Sequence, residues 1–448
     1  MSPVANLWKL ACLLFFQIVA SSPVARGSDM ATSHHYSHPR ITLVNNLGND
    51  TTTTITCLDT ARNVSVFVGQ DGLFHDFKDG YDFSGYTDAS DEEEWHPFTP
   101  QRIPSEDISI PLGSMGGNFS FQLPAFVSAC RAYYAKGELW MGAVPGADGC
   151  VGAVEPAFTN PGDNNYNMSW AFAEFAWVKN ETFVVNPSSV DFVDIGVALN
   201  LTRMDSNETL SIEGLFPDAK HHMCEQLKKV STPDAPWSDG CHYDEQGNLT
   251  RVVAPSHIAQ EGAFEAYWNP YIDQVLAHYA ENPLVVRIGG GERQCRTDFE
   301  SETLSCDGIA PIHFRPTPKD IFGCNSGPFA RRGAVEEEKA IMTNICARMN
   351  RGTMIDSDNK TADPLSSKMK AYESSVHNEY SEAVHNNERD GLGYGFPYDD
   401  VDEDGKAVAG VLSVPWDQTG ELTIFVGGRP SHRDHNNVTA SDISPESE

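Results

Sequence analysis

From residue 41 the chain alternates apolar and polar positions in short runs. ITLVNNL (41–47), TTTTITCL (51–58), NVSVFVG (63–69), DISIPL (107–112) and GNFSFQLPAF (117–126) each read as a strand, with Gly, Pro, Asn and Asp between them. KGELWMGAV (136–144), SWAFAEFAWV (169–178), ETFVVN (181–186) and SSVDFVDIGVALNLTR (188–203) continue the period of two. Closely spaced strands of this kind predict an all-β sandwich or barrel. The acidic run DASDEEEWHPF (88–98) reads as a solvated excursion.

Near residue 210 the spacing changes from two to 3.6. HHMCEQLKKV (221–230), GAFEAYWNPYIDQVLAHYAEN (262–282) and VEEEKAIMTNICARMNRGT (335–353) predict helices. In the second, Phe264, Trp268, Tyr271, Ile272, Val275, Leu276 and Tyr279 form one apolar stripe, the pattern of a core-facing helix. Short strands such as NPLVVRIGG (282–290) lie between the helices, and GYGFPYDDV (393–401), AGVLSVP (409–415) and ELTIFVGG (421–428) return to strand rhythm. The expected fold class is mainly β with an α/β insertion. The expected organisation is a β domain over 41–212, a mixed α/β domain over 213–384, and C-terminal strands over 385–428 that rejoin the first sheet system. The tail, 429–448, is polar and reads as disordered.

The first residues bear on compartment. In MSPVANLWKLACLLFFQIVASS one lysine precedes an apolar run from Leu10 to Ala20, followed by small residues. This is the layout of a secretory signal over 1–25, with a polar linker over 26–40, and the run is too short to span a bilayer. Sequons at Asn49, Asn63, Asn118, Asn167, Asn180, Asn200, Asn207, Asn248, Asn359 and Asn437 fit a glycosylated, secreted chain. Cys12 lies in the signal, which leaves nine cysteines for an oxidising compartment. Proximity suggests Cys130–Cys150, Cys224–Cys241, Cys295–Cys306 and Cys324–Cys346, with Cys57 left over.

Lys and Arg total 31 of the 448 residues against 63 Asp and Glu, a formal charge of −32. Such a surface repels nucleic acid and anionic lipid. It suits an uncharged substrate, and it equally suits a protein whose acidity only keeps it soluble.

Candidate chemistry centres on FAEFAWVKNETFVVNPSSVDFVDIGV (172–197). Here strand-like runs carry acids: Glu174 in the first, Asp191 and Asp194 after it. Trp170, Phe172, Glu174 and Ala176 share one face of a strand, and Asp191 and Asp194 fall on opposite faces of theirs. A carboxyl beside aromatic rings is costly to ionise, whereas one in a wetter position stays charged. Two carboxyls so separated meet the requirement of glycoside hydrolysis, and nearby aromatics offer platforms for sugar rings. A sandwich with one wet face carries the same acids for no chemical reason.

The same stretch resembles the signature of glycoside hydrolase family 64, the thaumatin-like β-1,3-glucanases, in which an E-F-T strand precedes N-x-(S/T)-x-V-D. Here the residues are Glu174, Phe175 and Ala176, then Asn186, Pro187, Ser188, Ser189, Val190 and Asp191. ITLVNNL (41–47), PKDIFGCNSGPF (318–329) and HNEYSEAVHNNERDGLGYGFPYDDV (377–401) are similar to the family's opening strand, mid-chain motif and C-terminal run. The resemblance implies a β-barrel or sandwich domain and a mixed α/β domain flanking a wide groove. It implies a monomer that needs no cofactor and cleaves β-1,3-glucan with inversion, with Glu174 as general acid and Asp191 as general base. Asp194 is the alternative base. Trp170 and Phe172 are the candidate aromatic platforms, Ala176 and Ser188 are implied to stand at sugar-contacting positions, and Tyr398, Asp399 and Asp400 are implied to line or buttress the groove. Ala176 stands where the family has threonine, and that departure keeps a non-catalytic, thaumatin-like glucan-binding protein in view.

Metal motifs are weaker. Asp400, Asp402, Asp404 and Gly405 match the first half of a calcium loop, but Val411 stands where its bidentate glutamate belongs. His221 and His222 are adjacent and lack an H-E-x-x-H context. His377 and His385 are read as hydrogen-bonding residues of a helix, and no metal is expected.

Overall fold

The computed structural model describes residues 37–77, 100–145, 151–258, 260–288, 291–330, 334–355, 371–401 and 410–429. The expected signal, the acidic run at 88–98, Cys150 and the half calcium loop beyond Val401 lie outside the described residues.

The alternating runs form two main sheets. The first has five strands in the order Thr209–Ile212, Val197–Arg203, Thr419–Val426, Arg40–Asn45 and Asn118–Gln122. Its central strand, Thr419–Val426, runs parallel to Arg40–Asn45, pairing Arg40 with Glu421 and Asn45 with Val426, and antiparallel to Val197–Arg203. The second runs Leu412–Pro415, Thr182–Pro187, Trp170–Trp177, Val127–Lys136, Thr51–Asp59, Val64–Val68 and Phe74–Asp76, with Ile110–Pro111 added beside Thr51–Asp59. Ile41, Leu43, Leu199 and Ile424 of the first sheet share one buried core with Ile55, Tyr134, Trp170 and Phe183 of the second. Neither strand order closes on itself, so the arrangement is a sandwich rather than a barrel.

The 3.6-residue patterns become the helices Ala219–Val230, Glu265–Glu281 and Glu336–Arg351. The apolar stripe of the second is buried as expected, with Trp268, Ile272, Val275 and Leu276 at 0% exposure. These helices cover a second core with the four-stranded sheet of Leu284–Ile288, Gly291–Asp298, Thr303–Cys306 and Ile312–His313.

The boundary differs from the expectation at 385. Tyr380, Val384 and Phe396 belong to the second core, and the chain returns to the first core only at Leu412. GYGFPYDDV forms turns rather than a strand. Its alternation reflects a buried turn packed on the Glu379–Asn386 helix, so close that a Cβ on Gly395 would meet the Ser381 Cα at 2.9 Å.

Among the described residues there are four disulfides: Cys57–Cys130, Cys224–Cys241, Cys295–Cys306 and Cys324–Cys346. The last three follow local proximity. Cys130 pairs with Cys57 rather than with Cys150, because the Thr51–Asp59 and Val127–Lys136 strands are neighbours and set the two cysteines side by side. No helix of the described residues is long and apolar enough to cross a membrane.

Candidate active site

The strand Trp170–Trp177 is central, with Val127–Lys136 on one side and Thr182–Pro187 on the other. Both of its faces are packed, and seven of its eight residues are buried; Glu174 alone is not. A strand covered on both faces places a carboxylate badly unless the local structure provides partners or an opening. Glu174 has both. One-fifth of its side chain remains open, and Arg131, its direct cross-strand partner, approaches it at 3.2 Å through Nε.

Arg131 does not serve Glu174 alone. Its Nη1 lies 2.5 Å from Glu155, and its guanidinium sits 5.1 Å from the centre of the Phe172 ring. Burial is the largest influence on Glu174 and pushes its carboxyl above the usual range; Arg131 opposes this, while the negative charges of Asp191 and Glu155 reinforce it. Across the sheet from Glu174 stands Asn186, buried, whose Oδ1 has no partner among the described residues.

Asp191 lies past the end of the Thr182–Pro187 strand, not within a paired strand as the alternation suggested. Its position marks the seam of the molecule: Phe192 packs into the first core and Val193 into the second. Its backbone carbonyl accepts from the Ala254 N–H at 2.8 Å, and its carboxylate is 2.9 Å from His257 Nε2. The His257 ring packs edge-on against Phe158. One-third of the Asp191 side chain is exposed. The preceding residues are held from the Glu379–Asn386 helix and the turn after it, because the Tyr380 hydroxyl donates to the Ser189 carbonyl at 2.7 Å and the Ser189 N–H donates to the Tyr394 carbonyl at 3.2 Å.

Asp194 is placed very differently. Its side chain is 1% exposed, one oxygen accepts from the Trp170 N–H at 2.9 Å, and the other pairs with Lys220 at 2.6 Å. Both oxygens are thus engaged in holding the fold, and the geometry favours Asp191 over Asp194 as a group that could activate water.

The expected groove residues separate into two groups. Trp170 and Phe172 are core residues, 1% and 5% exposed, and offer no ring face to a sugar. Trp170 packs edge-on against Phe192 and under the Arg251 guanidinium, and Phe172 supports Arg131. Their burial follows from a central strand covered on both faces. Ala176 is also buried, at a break in register with the Val127–Lys136 strand. Asp399 is fully buried, bound by Arg351, His385 and the Gly395 N–H, and so braces the 393–400 turn. Ser188 and Tyr398 remain partly open and Asp400 is exposed. Tyr398 holds a left-handed backbone, φ 69°, an uncommon conformation for a non-glycine residue. The Tyr394 hydroxyl donates to Asp400 at 3.1 Å. Burial, then the charges of Asp400, Asp399 and Glu174, keeps that hydroxyl protonated far above its ordinary range.

Arg131, Glu155, Asn186, His257, Tyr380 and Tyr394 surround the two carboxylates, and periodicity had singled out none of them. Arg131 alone left a direct signal, as a charge inside the apolar run VSACRAYYAK. A separate cleft of about 600 Å³, lined by Phe216, Asp218, His222, Glu225, Lys229 and Asn387 among others, shares none of these residues. His221 and His222 are exposed on the Ala219–Val230 helix.

Comparison with known proteins adds the decisive observation. A family model described as beta-1,3-glucanase, glycoside hydrolase family 64, matches residues 38–425. The chain belongs to glycoside hydrolase family 64. A curated relative from Cellulosimicrobium cellulans, named glucan endo-1,3-beta-glucosidase, is 24% identical over 279 residues, which is 60% of this chain and 48% of the relative. The family 64 chain described here thus spans about half the length of the curated relatives it matches. A laminaripentaose-producing β-1,3-glucanase, solved in complex with laminaritetraose, superposes with a TM-score of 0.67 at 21% identity, covering 87% of this chain and 98% of its own. A family 64 β-1,3-glucanase domain from Clostridium beijerinckii superposes at 0.61 with 20% identity, covering 89% and 100%. At these identities the likeness is one of fold.

Proposed function

We propose that this protein is a secreted endo-β-1,3-glucanase that hydrolyses its substrate with inversion, with Glu174 as general acid and Asp191 as general base. The observation that carries the reading is the contrast between the two carboxyls. Glu174 is the one open position of a buried strand, and burial pushes its carboxyl above the usual range. Asp191 is more exposed, stands at the seam between the domains and has a histidine on its carboxylate. A protonated acid can deliver its proton to the glycosidic oxygen as the bond breaks, while an ionised carboxylate removes a proton from attacking water. Inversion places that water between base and sugar, so the carboxyls must stand roughly 6.5–9.5 Å apart.

The relatives' names support the substrate class, a β-1,3-glucan, and the strongly acidic surface suits an uncharged polymer. Ser188, Tyr398 and Asp400 are the expected residues left to meet sugar. The glucan-binding alternative rests on Ala176, whose side chain is buried. The four disulfides and the N-terminal apolar run support secretion, and the protein is read as a monomer working without a cofactor.

The test is hydrolysis of laminarin by Glu174→Gln and Asp191→Asn. Each should retain the fold, seen by circular dichroism, and lose activity by several orders of magnitude. Proton NMR during the first turnovers should show α-anomeric product. Near-normal hydrolysis by either folded variant rejects its assigned role, and a β anomer rejects inversion.

A further inference from the structure

Away from the carboxylate recess, three side chains converge at the start of the Glu379–Asn386 helix. His377 precedes the helix, Glu379 opens it and Glu382 follows three residues later, so the two carboxylates share a helix face. One ligand-capable atom from each residue lies within 4.8 Å of the other two. His377 Nε2 is 3.1 Å from a Glu382 oxygen and 3.5 Å from a Glu379 oxygen. A tetrahedral ion with bonds of about 2.0–2.1 Å holds adjacent ligands about 3.3 Å apart, and the two spacings bracket that edge.

The hydrogen bonds around the ring narrow what can lie there. Nδ1 is 2.7 Å from the Ser374 carbonyl, which only accepts, so Nδ1 carries a proton. Nε2 then faces two carboxylates that also only accept when ionised. A neutral ring would set its lone pair against theirs, so either a second ring proton or a metal cation belongs between them. A proton on Nε2 serves one oxygen along one axis, whereas a divalent ion engages all three side chains. A carbonyl on the far ring nitrogen is also the outer contact that metal-bound histidines generally keep. The backbone of His377 is fixed in addition, since the Tyr267 hydroxyl donates to its carbonyl at 3.0 Å and accepts from its N–H at 3.1 Å. The His377 side chain is 8% exposed and that of Glu382 33%, which leaves an entry for the ion and room for a completing water.

We propose that His377, Glu379 and Glu382 bind a structural divalent cation of the zinc class. One imidazole nitrogen with two carboxylates suits zinc, whereas calcium and magnesium prefer oxygen alone. The place of the site in the fold gives it a purpose. Tyr380, one residue past Glu379, holds the Ser189 carbonyl, and Ser189 lies two residues before Asp191. A cation here clamps the start of the helix that supports the Asp191 segment.

The experiment uses full-length protein stripped with a chelator. Zinc chloride is titrated by calorimetry, bound zinc is counted after dialysis, and thermal unfolding is followed with and without the ion. One zinc per chain and a raised melting temperature are expected, with cobalt giving the intense visible bands of a tetrahedral site. His377→Gln should weaken zinc binding at least about 100-fold, beyond the usual 10–100-fold cost of outer-contact changes. Glu382→Gln, at a partly exposed position that tolerates an amide, should do the same if His377→Gln fails to fold. No stoichiometric zinc in the unaltered protein overturns the proposal. So does unchanged zinc affinity in folded Glu382→Gln and Glu379→Gln, or binding of calcium where zinc is silent.

Discussion

Asp194→Ala separates the two aspartates by what each supports. In the folded chain Asp194 is 1% exposed and accepts the buried Trp170 N–H, while its second oxygen pairs with Lys220 at 2.6 Å. Truncation strands that N–H inside the protein, which costs about 1–3 kcal/mol. The lost ion pair adds less than the ~3–5 kcal/mol of a fully buried pair, because Lys220 is 21% exposed and keeps the Thr250 carbonyl at 3.0 Å. Together the loss is about 3 kcal/mol, or about two orders of magnitude in the folded-to-unfolded ratio. Urea unfolding followed by tryptophan fluorescence measures it. Laminarin hydrolysis, assayed where the variant is still folded, should then give a kcat within a few-fold of the unaltered enzyme. Asp191→Ala should behave in the opposite way, with near-normal stability, since its carboxylate is one-third exposed, and almost no turnover. Unchanged stability in Asp194→Ala, or an equal loss of kcat in both variants, would refute the reasoning.

Three further outcomes follow from the same structure. Glu155→Gln removes a negative charge that pushes Glu174 upward and leaves Arg131 to Glu174, so the acid is deprotonated more easily; the alkaline limb of the kcat/KM–pH profile should move to lower pH, and an unmoved limb excludes the coupling. Replacing Cys57 and Cys130 by Ser opens a link between residues 73 apart, worth about 4 kcal/mol by chain entropy, and calorimetry should show a corresponding fall in melting temperature. Burial, the largest single influence, pulls His385 down, but Asp399 at 2.9 Å and the Gly391 carbonyl together raise it more, so it titrates above its ordinary value of 6.5. Its stabilising contribution is complete below that ordinary value and is lost as pH rises through the higher folded one, so stability should decline on the alkaline side and His385→Asn should flatten the decline.

Much of the fold was legible because burial imposes a period. The run at 41–47 and positions 182–185 have one buried face and alternate, and the stripe in the Glu265–Glu281 helix repeats at helical spacing. Where that condition fails, so does the reading. Trp170 and Phe172 lie on a strand buried on both faces, so alternation could not tell platform from core. GYGFPYDDV alternates because a turn is packed, not because it is paired. Cys57 and Cys130 meet through strand order, which local spacing does not encode. Glu174 and Asp191 stood out as acids in apolar runs, but the groups around them come from segments spread between Arg131 and Tyr394. Their convergence is a property of topology.

The Thr419–Val426 strand has a consequence for biogenesis. It lies in the middle of its sheet, with the Arg40–Asn45 strand on one side and the Val197–Arg203 strand on the other. During synthesis both neighbours emerge long before it. At about 5–20 residues per second the first waits tens of seconds for the partner 381 positions later, pairing Arg40 with Glu421. Until then the sheet exists as two unjoined pieces, each with an open edge able to recruit another chain. A stop codon or a proteolytic cut shortly before Thr419 would therefore not trim an end. It would leave two half-sheets and a strong propensity to aggregate.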